Sequence, residues 1–153
     1  NRPALLSLAV IDIDHFKSIN DRFSHSVGDA VLQQIARTMV DQLGPHGHAG
    51  RLGGEEFALV LPNVPEPSAA ALCEGVRIAI AGIDWSGLQP DLTVTASIGL
   101  ASSDSAQTAS GLMQLADARL YAAKAAGRNR VETSIATAAA REVSGIERRQ
   151  RRA

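Results

Sequence analysis

The pattern of apolar segments predicts an α+β fold with a ferredoxin-like βαββαβ core, extended by one helix and one strand. Two observations support this prediction. Short runs with strand character alternate with longer segments of helical spacing, and a Gly-Gly pair separates two of the short runs as in a hairpin. The same order predicts an antiparallel sheet with helices packed on one face.

The first half of the chain begins with a strand and an amphipathic helix. Residues 5–11 (LLSLAVI) form a mostly apolar run, which suits a strand covered on both faces. Over residues 27–43, apolar side chains recur every four positions, as they do on the buried face of a helix. Gly44-Pro45 is predicted to end this helix.

A β-hairpin is predicted next. Two short runs, residues 49–52 and 55–61, flank the pair Gly53-Gly54. Glycine adopts the positive φ angles of a tight hairpin turn at little energetic cost, so the pair fits the turn between two antiparallel strands.

The second half of the chain alternates again between helix and strand. The predicted elements are a helix, a strand, a helix and a short strand over residues 68–82, 92–100, 110–126 and 130–133. Ser68 is expected to cap the start of the first helix, and Gly127 is expected to close the end of the second.

Composition limits the class of protein. The 153 residues are predicted to form one domain over residues 1–133, followed by an Ala- and Arg-rich tail or linker over residues 134–153.

No apolar run approaches the ~20 residues of a membrane span, and no signal peptide is visible, so a cytoplasmic domain is expected. The net charge of −1 and the 3% aromatic content argue against a nucleic-acid partner. The single cysteine, Cys73, excludes an internal disulfide and a multi-cysteine zinc site.

Three acidic residues are expected to meet at one edge of the sheet. Asp12 ends the first strand, while Glu55 and Glu56 follow the Gly-Gly turn. Neighbouring carboxylates resist joint ionisation unless a cation compensates, and oxygen ligands suit Mg²⁺, which also recruits substrate phosphates. Each motif alone is more often an ordinary turn or exposed hairpin. Together they indicate a phosphoryl or nucleotidyl transfer centre with two cations ~3.5–4 Å apart.

Five segments in the same order resemble one known family. They are residues 11–21 (IDIDHFKSIND), 27–29 (VGD), 51–57 (RLGGEEF), 97–99 (SIG) and 116–130 (ADARLYAAKAAGRNR). The chain thus resembles the GGDEF domain of bacterial diguanylate cyclases, with a GGEEF variant of the signature. The resemblance covers residues 4–132 and implies a palm-like antiparallel sheet related to that of adenylyl cyclases.

The resemblance implies a metal site for two Mg²⁺ in each active half-site, with Mn²⁺ as a substitute. Asp12, Glu55 and Glu56 would bind the metals through carboxylates, and Ile13 through its carbonyl. Either Glu55 or a metal-bound oxygen would accept the proton of the attacking hydroxyl. Together with Lys17, the three acidic residues form the expected catalytic set.

The resemblance also implies where GTP would bind. Asn20 and Asp29 would bind the guanine, because a carboxylate accepts from both N1–H and the exocyclic amine of guanine, a pair that adenine lacks. Leu32 would pack on the base. The phosphates would contact two sets of groups, the side chains of Lys17, Lys124 and Arg128, and the backbone of His15, Phe16, Gly53 and Gly54. Taken alone, Lys124 and Arg128 would be an ordinary solvated basic face.

The activity that the resemblance implies is condensation of two GTP to cyclic di-GMP and two pyrophosphates across a two-fold homodimer. The product could also occupy the guanine pocket of the active half-site. Two alternatives stay open: a non-catalytic domain that binds GTP or cyclic di-GMP as a regulator, and a related cyclase with another product.

The chain departs from the family pattern at several places. Gly44 and Gly47 stand where many members carry an Arg-x-x-Asp inhibitory site, so no inhibition is expected there. His46 and His48 in the same loop are expected to be exposed and not metal ligands. The family's N-terminal helix is missing, and any membrane contact is expected only through flanking domains that would belong to a larger signalling protein. Ser24 replaces a usual glycine, with a small expected effect.

Overall fold

The computed structural model describes residues 4–133, so the predicted tail at residues 134–153 lies outside the described residues. Within this range the chain forms a five-stranded sheet and four α-helices. In chain order the elements are β1 (Leu6–Ile13), α1 (Phe16–Arg22), α2 (His25–Leu43), β2 (His48–Gly53), β3 (Glu56–Pro62), α3 (Glu66–Ala81), β4 (Ala96–Ser102), α4 (Ala109–Ala125) and β5 (Val131–Glu132). None of these helices is long and apolar enough to cross a membrane.

The strands lie in the order β2-β3-β1-β4-β5. β1 is antiparallel to β3 and β4, and β2 is antiparallel to β3, which confirms the predicted ferredoxin-like core. β5 runs parallel to β4, so the expectation of a wholly antiparallel sheet is wrong at this edge. The reason is the connection: β5 follows α4, and a helical crossover returns the chain parallel to the strand it left.

Helices cover both faces of the sheet. On one face, α1, α2 and α3 pack over Ala9, Ile11 and Ile13 of β1. On the other face, α4 packs over Leu8 and Val10. Alternate side chains of β1 are therefore buried on opposite faces, as its apolar sequence predicts. The expectation of helices on one face is right for the two core helices, α2 and α3, and wrong for the added helix α4.

α4 lies directly on the backbone of β4 at Gly99. A Cβ atom placed on Gly99 would be 2.1 Å from the carbonyl oxygen of Ala116 and 2.2 Å from the backbone nitrogen of Leu120. A side chain at this position would therefore push the helix away from the sheet.

α1 is a helix that the sequence reasoning missed. It has seven residues, and it buries Phe16 and Ile19 against the core. His15 precedes it in the left-handed conformation (φ 55°, ψ 34°). The spacing of Phe16, Ile19 and Phe23 is a helical signal, but it spans only two turns, and polar residues with other expected roles fill the positions between.

Two predicted boundaries are wrong. α3 follows Pro65, and Ser68 lies inside the helix instead of capping it. β4 begins at Ala96, four residues after Leu92, where the sequence predicts the strand to start. Leu92 is nevertheless buried in the core, so its apolar side chain contributes to packing although the residue lies outside the strand.

The end of α4 is closed as predicted by Gly127. Its φ of 118° suits glycine, and its N–H donates to the carbonyl of Lys124. The N–H of Arg128 donates to the carbonyl of Ala123 at 3.0 Å. These two bonds form a Schellman motif, which fixes the direction of the chain as it leaves the helix.

Candidate active site

The end of β1 and the start of β3 bring three acidic residues to one edge of the sheet. The strand register pairs Asp12 with Glu56. The N–H of Ile13 donates to the carbonyl of Glu55 at 3.3 Å, which extends the pairing into the hairpin turn. The strand register therefore brings the three acidic residues to the same edge of the sheet.

A lysine from α4 joins this edge. The ammonium of Lys124 on α4 donates to Oδ2 of Asp12 at 2.5 Å. Burial raises the pKa of the Asp12 carboxyl above its ordinary value, and the charges of Glu55 and Asp14 add to the increase while Lys124 opposes it. Asp12 is thus a buried carboxylate whose charge is only partly compensated.

Glu56 has a raised pKa as well. Partial burial is the main cause, the charge of Asp12 is the next, and Lys124 opposes both. Asp117 of α4 also raises the pKa of Glu56, so a further acidic group faces this edge. The sequence analysis assigned no role to Asp117, although it lies one and two helical turns from Tyr121 and Lys124 on the same helix.

The donor set of this edge fits Mg²⁺ together with a nucleotide. Among residues 4–133, no group of three His, Cys, Asp or Glu side chains is gathered tightly enough to hold a metal ion alone. Mg²⁺ commonly binds through one or two carboxylates and the phosphates of its substrate, so a complete protein cage is not required. The carboxylates of Asp12, Glu55 and Glu56 offer the oxygen ligands that this mode of binding needs.

We expect replacement of Glu56 by glutamine to change how stability depends on pH. The pKa of Glu56 in the folded state is raised above its model value of 4.5. Its contribution to stability is therefore complete below pH 4.5 and is lost as the pH rises through the folded-state pKa. With a chelator present, Glu56→Gln should unfold at a higher temperature than the wild type at pH 7, and the two should converge near pH 4.

Thermal unfolding followed by circular dichroism from pH 4 to 8 measures this difference. Asp41→Asn, an exposed charge removal on α2, serves as the matched control and should leave the pH profile unchanged. A Glu56→Gln profile parallel to that of the wild type would show that the carboxylate is not destabilised in the fold.

The candidate guanine site lies where α1 meets α2. A Cβ atom on Gly28 would be 1.8 Å from Oδ1 of Asn20, so only glycine allows this approach. Within the described part of the chain, Oδ1 of Asn20 is buried without a hydrogen-bond partner. Asp29 is exposed next to Gly28, and Leu32 is buried one turn further along α2. A buried polar atom without a partner is costly, which makes this amide a candidate for contact with a ligand.

The phosphate-binding candidates lie at the start of α1 and beyond the end of α4. The left-handed His15 followed by helical Phe16 turns successive N–H groups toward one side, and Lys17 is exposed in the first turn of α1. Arg128 is exposed beyond the end of α4. Lys17 and Arg128 form no ion pair within residues 4–133, unlike Lys124.

The hairpin glycines leave the turn open. No atom lies within 4 Å of a Cβ placed on Gly53 or Gly54, whose φ angles are 154° and 51°. The side chain of Arg51 donates to the carbonyl of Gly54 at 2.9 Å, which holds the turn from the β2 side. The turn is therefore fixed by its backbone, and its surface is free for a ligand to approach.

Asp14 is a buried residue whose role the sequence analysis missed. Its carboxylate accepts hydrogen bonds from Oγ1 of Thr95 at 2.7 Å, from Oγ of Ser97 at 2.6 Å and from the N–H of Asn129 at 3.0 Å. It therefore ties the end of β1 to β4 and to the connection after α4. The sequence signal for this role is the alternation of side chains along the strand, which places Asp12 and Asp14 on the same side of its end.

Comparison with known proteins identifies a family. Residues 1–130 match the family described as "Diguanylate cyclase, GGDEF domain". The diguanylate cyclase DgcM of Escherichia coli is 44% identical over 125 residues, which is 82% of this chain and 30% of DgcM. The diguanylate cyclase DgcP of Pseudomonas aeruginosa is 40% identical over 129 residues, 84% of this chain and 19% of DgcP. The chain thus spans less than a third of the length of these two relatives.

Solved structures agree with this family in fold. The active GGEEF domain of a diguanylate cyclase from Vibrio cholerae has a TM-score of 0.74 and 34% identity, covering 84% of this chain and 81% of that one. The coiled coil and GGDEF domain of DgcB from Caulobacter crescentus, solved in complex with c-di-GMP, has a TM-score of 0.77 and 34% identity. That match covers 84% of this chain and 69% of the solved chain.

Proposed function

Because the chain belongs to the GGDEF family of diguanylate cyclases, we propose that it condenses two GTP molecules into cyclic di-GMP and two pyrophosphates. The observation that best supports this proposal is the pairing of Asp12 with Glu56 across β1 and β3, with the ammonium of Lys124 on Asp12. This arrangement offers carboxylate ligands and a phosphate-binding cation at one edge. Since GTP is a cytoplasmic nucleotide, the proposal includes a cytoplasmic location.

Cyclases of this family depend on a metal, and we propose Mg²⁺, two per half-site, with Mn²⁺ as a substitute. Asp12, Glu55, Glu56 and the carbonyl of Ile13 are the residues that would hold it. When bound, the metal supplies positive charge next to the reacting phosphate and orients the phosphate oxygens.

The guanine is recognised by complementary hydrogen bonds. The carboxylate of Asp29 accepts from guanine N1–H and from the exocyclic amine, and Asn20 contributes the amide whose oxygen lacks a partner in the protein. Leu32 supplies apolar contact for the base. ATP lacks the N1–H donor, so it would leave the carboxylate of Asp29 unsatisfied and bind more weakly.

The triphosphate is held by cations and backbone N–H groups. Lys17, Arg128 and the N–H groups of His15 and Phe16 provide donors. Lys124 has three N–H donors, of which one is used on Asp12, so two remain for phosphate oxygens. These groups align the α-phosphate, and catalysis is then mainly positioning and charge stabilisation.

Turnover requires two copies of the domain. The 3′-hydroxyl of GTP on one copy attacks the α-phosphorus of GTP on the other; the new O3′–P bond forms as the bond to the pyrophosphate oxygen breaks. Glu55 is the side chain proposed to accept the hydroxyl proton. Two such steps close the ring, so a monomer with one GTP is inactive.

Incubation of purified protein with GTP and Mg²⁺, followed by chromatography and a pyrophosphate assay, tests the proposal. Cyclic di-GMP with two pyrophosphates per product, at a specific activity that rises with protein concentration, would support it. GTP binding without any product would instead identify a regulatory domain. A linear or monomeric cyclic product would identify a different cyclase.

We expect product inhibition to be purely competitive with GTP. Gly44 and Gly47 lack the charges of an inhibitory Arg-x-x-Asp site, and a Cβ atom on Gly47 would lie 2.3 Å from Cδ2 of Leu61 and 2.6 Å from the carbonyl oxygen of Val60. Position 47 therefore has no room for a side chain, so product is left with the guanine pocket. Initial rates at several concentrations of GTP and product measure the inhibition pattern.

A non-competitive component, or product bound in the presence of saturating GTP, would contradict this prediction. The two loop histidines offer no substitute site. His46 and His48 are exposed, as expected, and belong to no metal-binding group within residues 4–133.

A further inference from the structure

The connection between α4 and β5 contains two successive non-glycine residues in the left-handed region. Arg128 has a φ of 63° and Asn129 a φ of 45°. This conformation is unfavourable for residues that carry a Cβ atom, and it persists only where surrounding contacts hold it. The Schellman motif holds the helical side of the turn, as described above. On the other side, Nε of Arg130 donates to the carbonyl of Arg128 at 3.1 Å, and Asn129 adds further contacts.

Asn129 is held from two directions. Its N–H donates to Oδ2 of Asp14 at 3.0 Å, and its Oδ1 accepts from Nη1 of Arg77 at 2.8 Å. Asp14 ends β1, whereas Arg77 lies on α3, so the turn is tied to both the sheet and a core helix.

Arg77 is itself oriented by a neighbour. Its Nε donates to Oε2 of Glu74 at 2.9 Å, and its Nη2 donates to Oε1 of the same residue. This two-pronged ion pair fixes the plane of the guanidinium and leaves Nη1 directed at Asn129. The side chain of Arg77 is 19% exposed, and its bond to the exposed Asn129 lies at the protein surface.

From this geometry we propose that Arg77 is a positioning residue for nucleotide binding. Acting through Asn129, it holds the turn that directs the exposed side chain of Arg128 toward the phosphates. The inference rests on the proposed function, because that proposal assigns Arg128 to the triphosphate. Arg77 bonds to the side chain of Asn129, whereas Asp14 accepts from its N–H, so the effect of Arg77 is on the direction of Arg128 and not on the acidic edge.

The test compares Arg77→Ala with the wild type by isothermal titration in the presence of Mg²⁺. The two probes are a non-reactive GTP analogue, α,β-methylene GTP, and guanosine, which lacks phosphates. The expected result is about tenfold weaker binding of the analogue, the size of one lost charge-assisted contact, with unchanged binding of guanosine. Arg37→Ala, an arginine on α2 with one local bond to Gln34, is the matched control and should change neither affinity.

A double-mutant cycle shows whether Arg77 acts through Arg128. In an Arg128→Ala background, Arg77→Ala should cause no further loss, because the group that it positions is already absent. Arg77→Lys should recover part of the affinity, since an ammonium can still donate to Asn129. Where Arg77→Ala does not fold, Asn129→Gly removes the same contact while tolerating the left-handed conformation, and it should show the same loss.

Three results would overturn the inference: unchanged binding of the analogue to Arg77→Ala, an equal loss for analogue and guanosine, or fully additive effects in the cycle. An equal loss would mean that Arg77 only stabilises the fold. Failure of the proposed function has a different signature. The wild type itself would then form no cyclic di-GMP from GTP and Mg²⁺, or would bind the analogue no more tightly than guanosine, before any variant is compared.

Discussion

Replacing Glu55 with glutamine is expected to abolish the formation of cyclic di-GMP, with a loss of roughly 10³-fold or more in turnover. Glutamine keeps the size of the side chain but removes both its negative charge and its ability to accept a proton. The contact that Glu55 makes with β1 uses its backbone carbonyl, which bonds to the N–H of Ile13 and is unaffected by the change. Folding should therefore be retained.

The rate of pyrophosphate release measures turnover, and thermal unfolding measures whether the variant still folds. Asp41→Asn removes an exposed charge from α2 and should keep full activity. Activity of Glu55→Gln within tenfold of the wild type would refute the assignment of Glu55 to the reacting centre. Loss of both activity and folding would point to a structural role.

Replacing Asp29 with asparagine is expected to raise the KM for GTP about 100-fold. The carboxylate can accept two hydrogen bonds from guanine, whereas the amide offers one acceptor and turns an N–H toward a guanine donor. Asp29 is exposed on α2, so the substitution leaves no buried group unpaired in the free protein. The kcat should fall less than the KM rises, because the reacting phosphate lies away from the base.

Steady-state kinetics with GTP and with ITP, which keeps N1–H but lacks the exocyclic amine, test this prediction. The wild type should prefer GTP clearly, and Asp29→Asn should lose most of that preference. Asp104→Asn, an exposed change in the turn after β4, is the control. An unchanged ratio between GTP and ITP in Asp29→Asn would exclude Asp29 from base recognition.

Local patterns predicted most of the fold. The hairpin follows from the Gly53-Gly54 pair, and the long helix α2 follows from the regular spacing of its apolar residues. Both elements are present. α1 was missed because seven residues give too short a pattern to separate from a polar loop. The parallel pairing of β5 depends on where α4 crosses the sheet, and no residue within β5 encodes it.

The candidate site divides in the same way. Asp12, Glu55 and Glu56 lie in short motifs at strand ends, so their position at one edge of the sheet can be predicted from the sequence. Asp14 and Asn129 lie 115 positions apart, and Arg77 and Asn129 lie 52 apart. Their contact depends on tertiary packing, which leaves no trace in local spacing. The roles assigned to individual site residues stay predictions until the variants are measured.

The close contact at Gly99 has a mechanical consequence. Since the backbone of α4 rests on that of β4 at Gly99 without an intervening side chain, the helix that carries Lys124 is packed tightly against the strand. The sheet and α4 behave as one stiff unit, and the distance from Lys124 to Asp12 is built into it. We therefore expect this unit to move as one rigid body when two copies of the domain approach each other, with the contact between Lys124 and Asp12 unchanged.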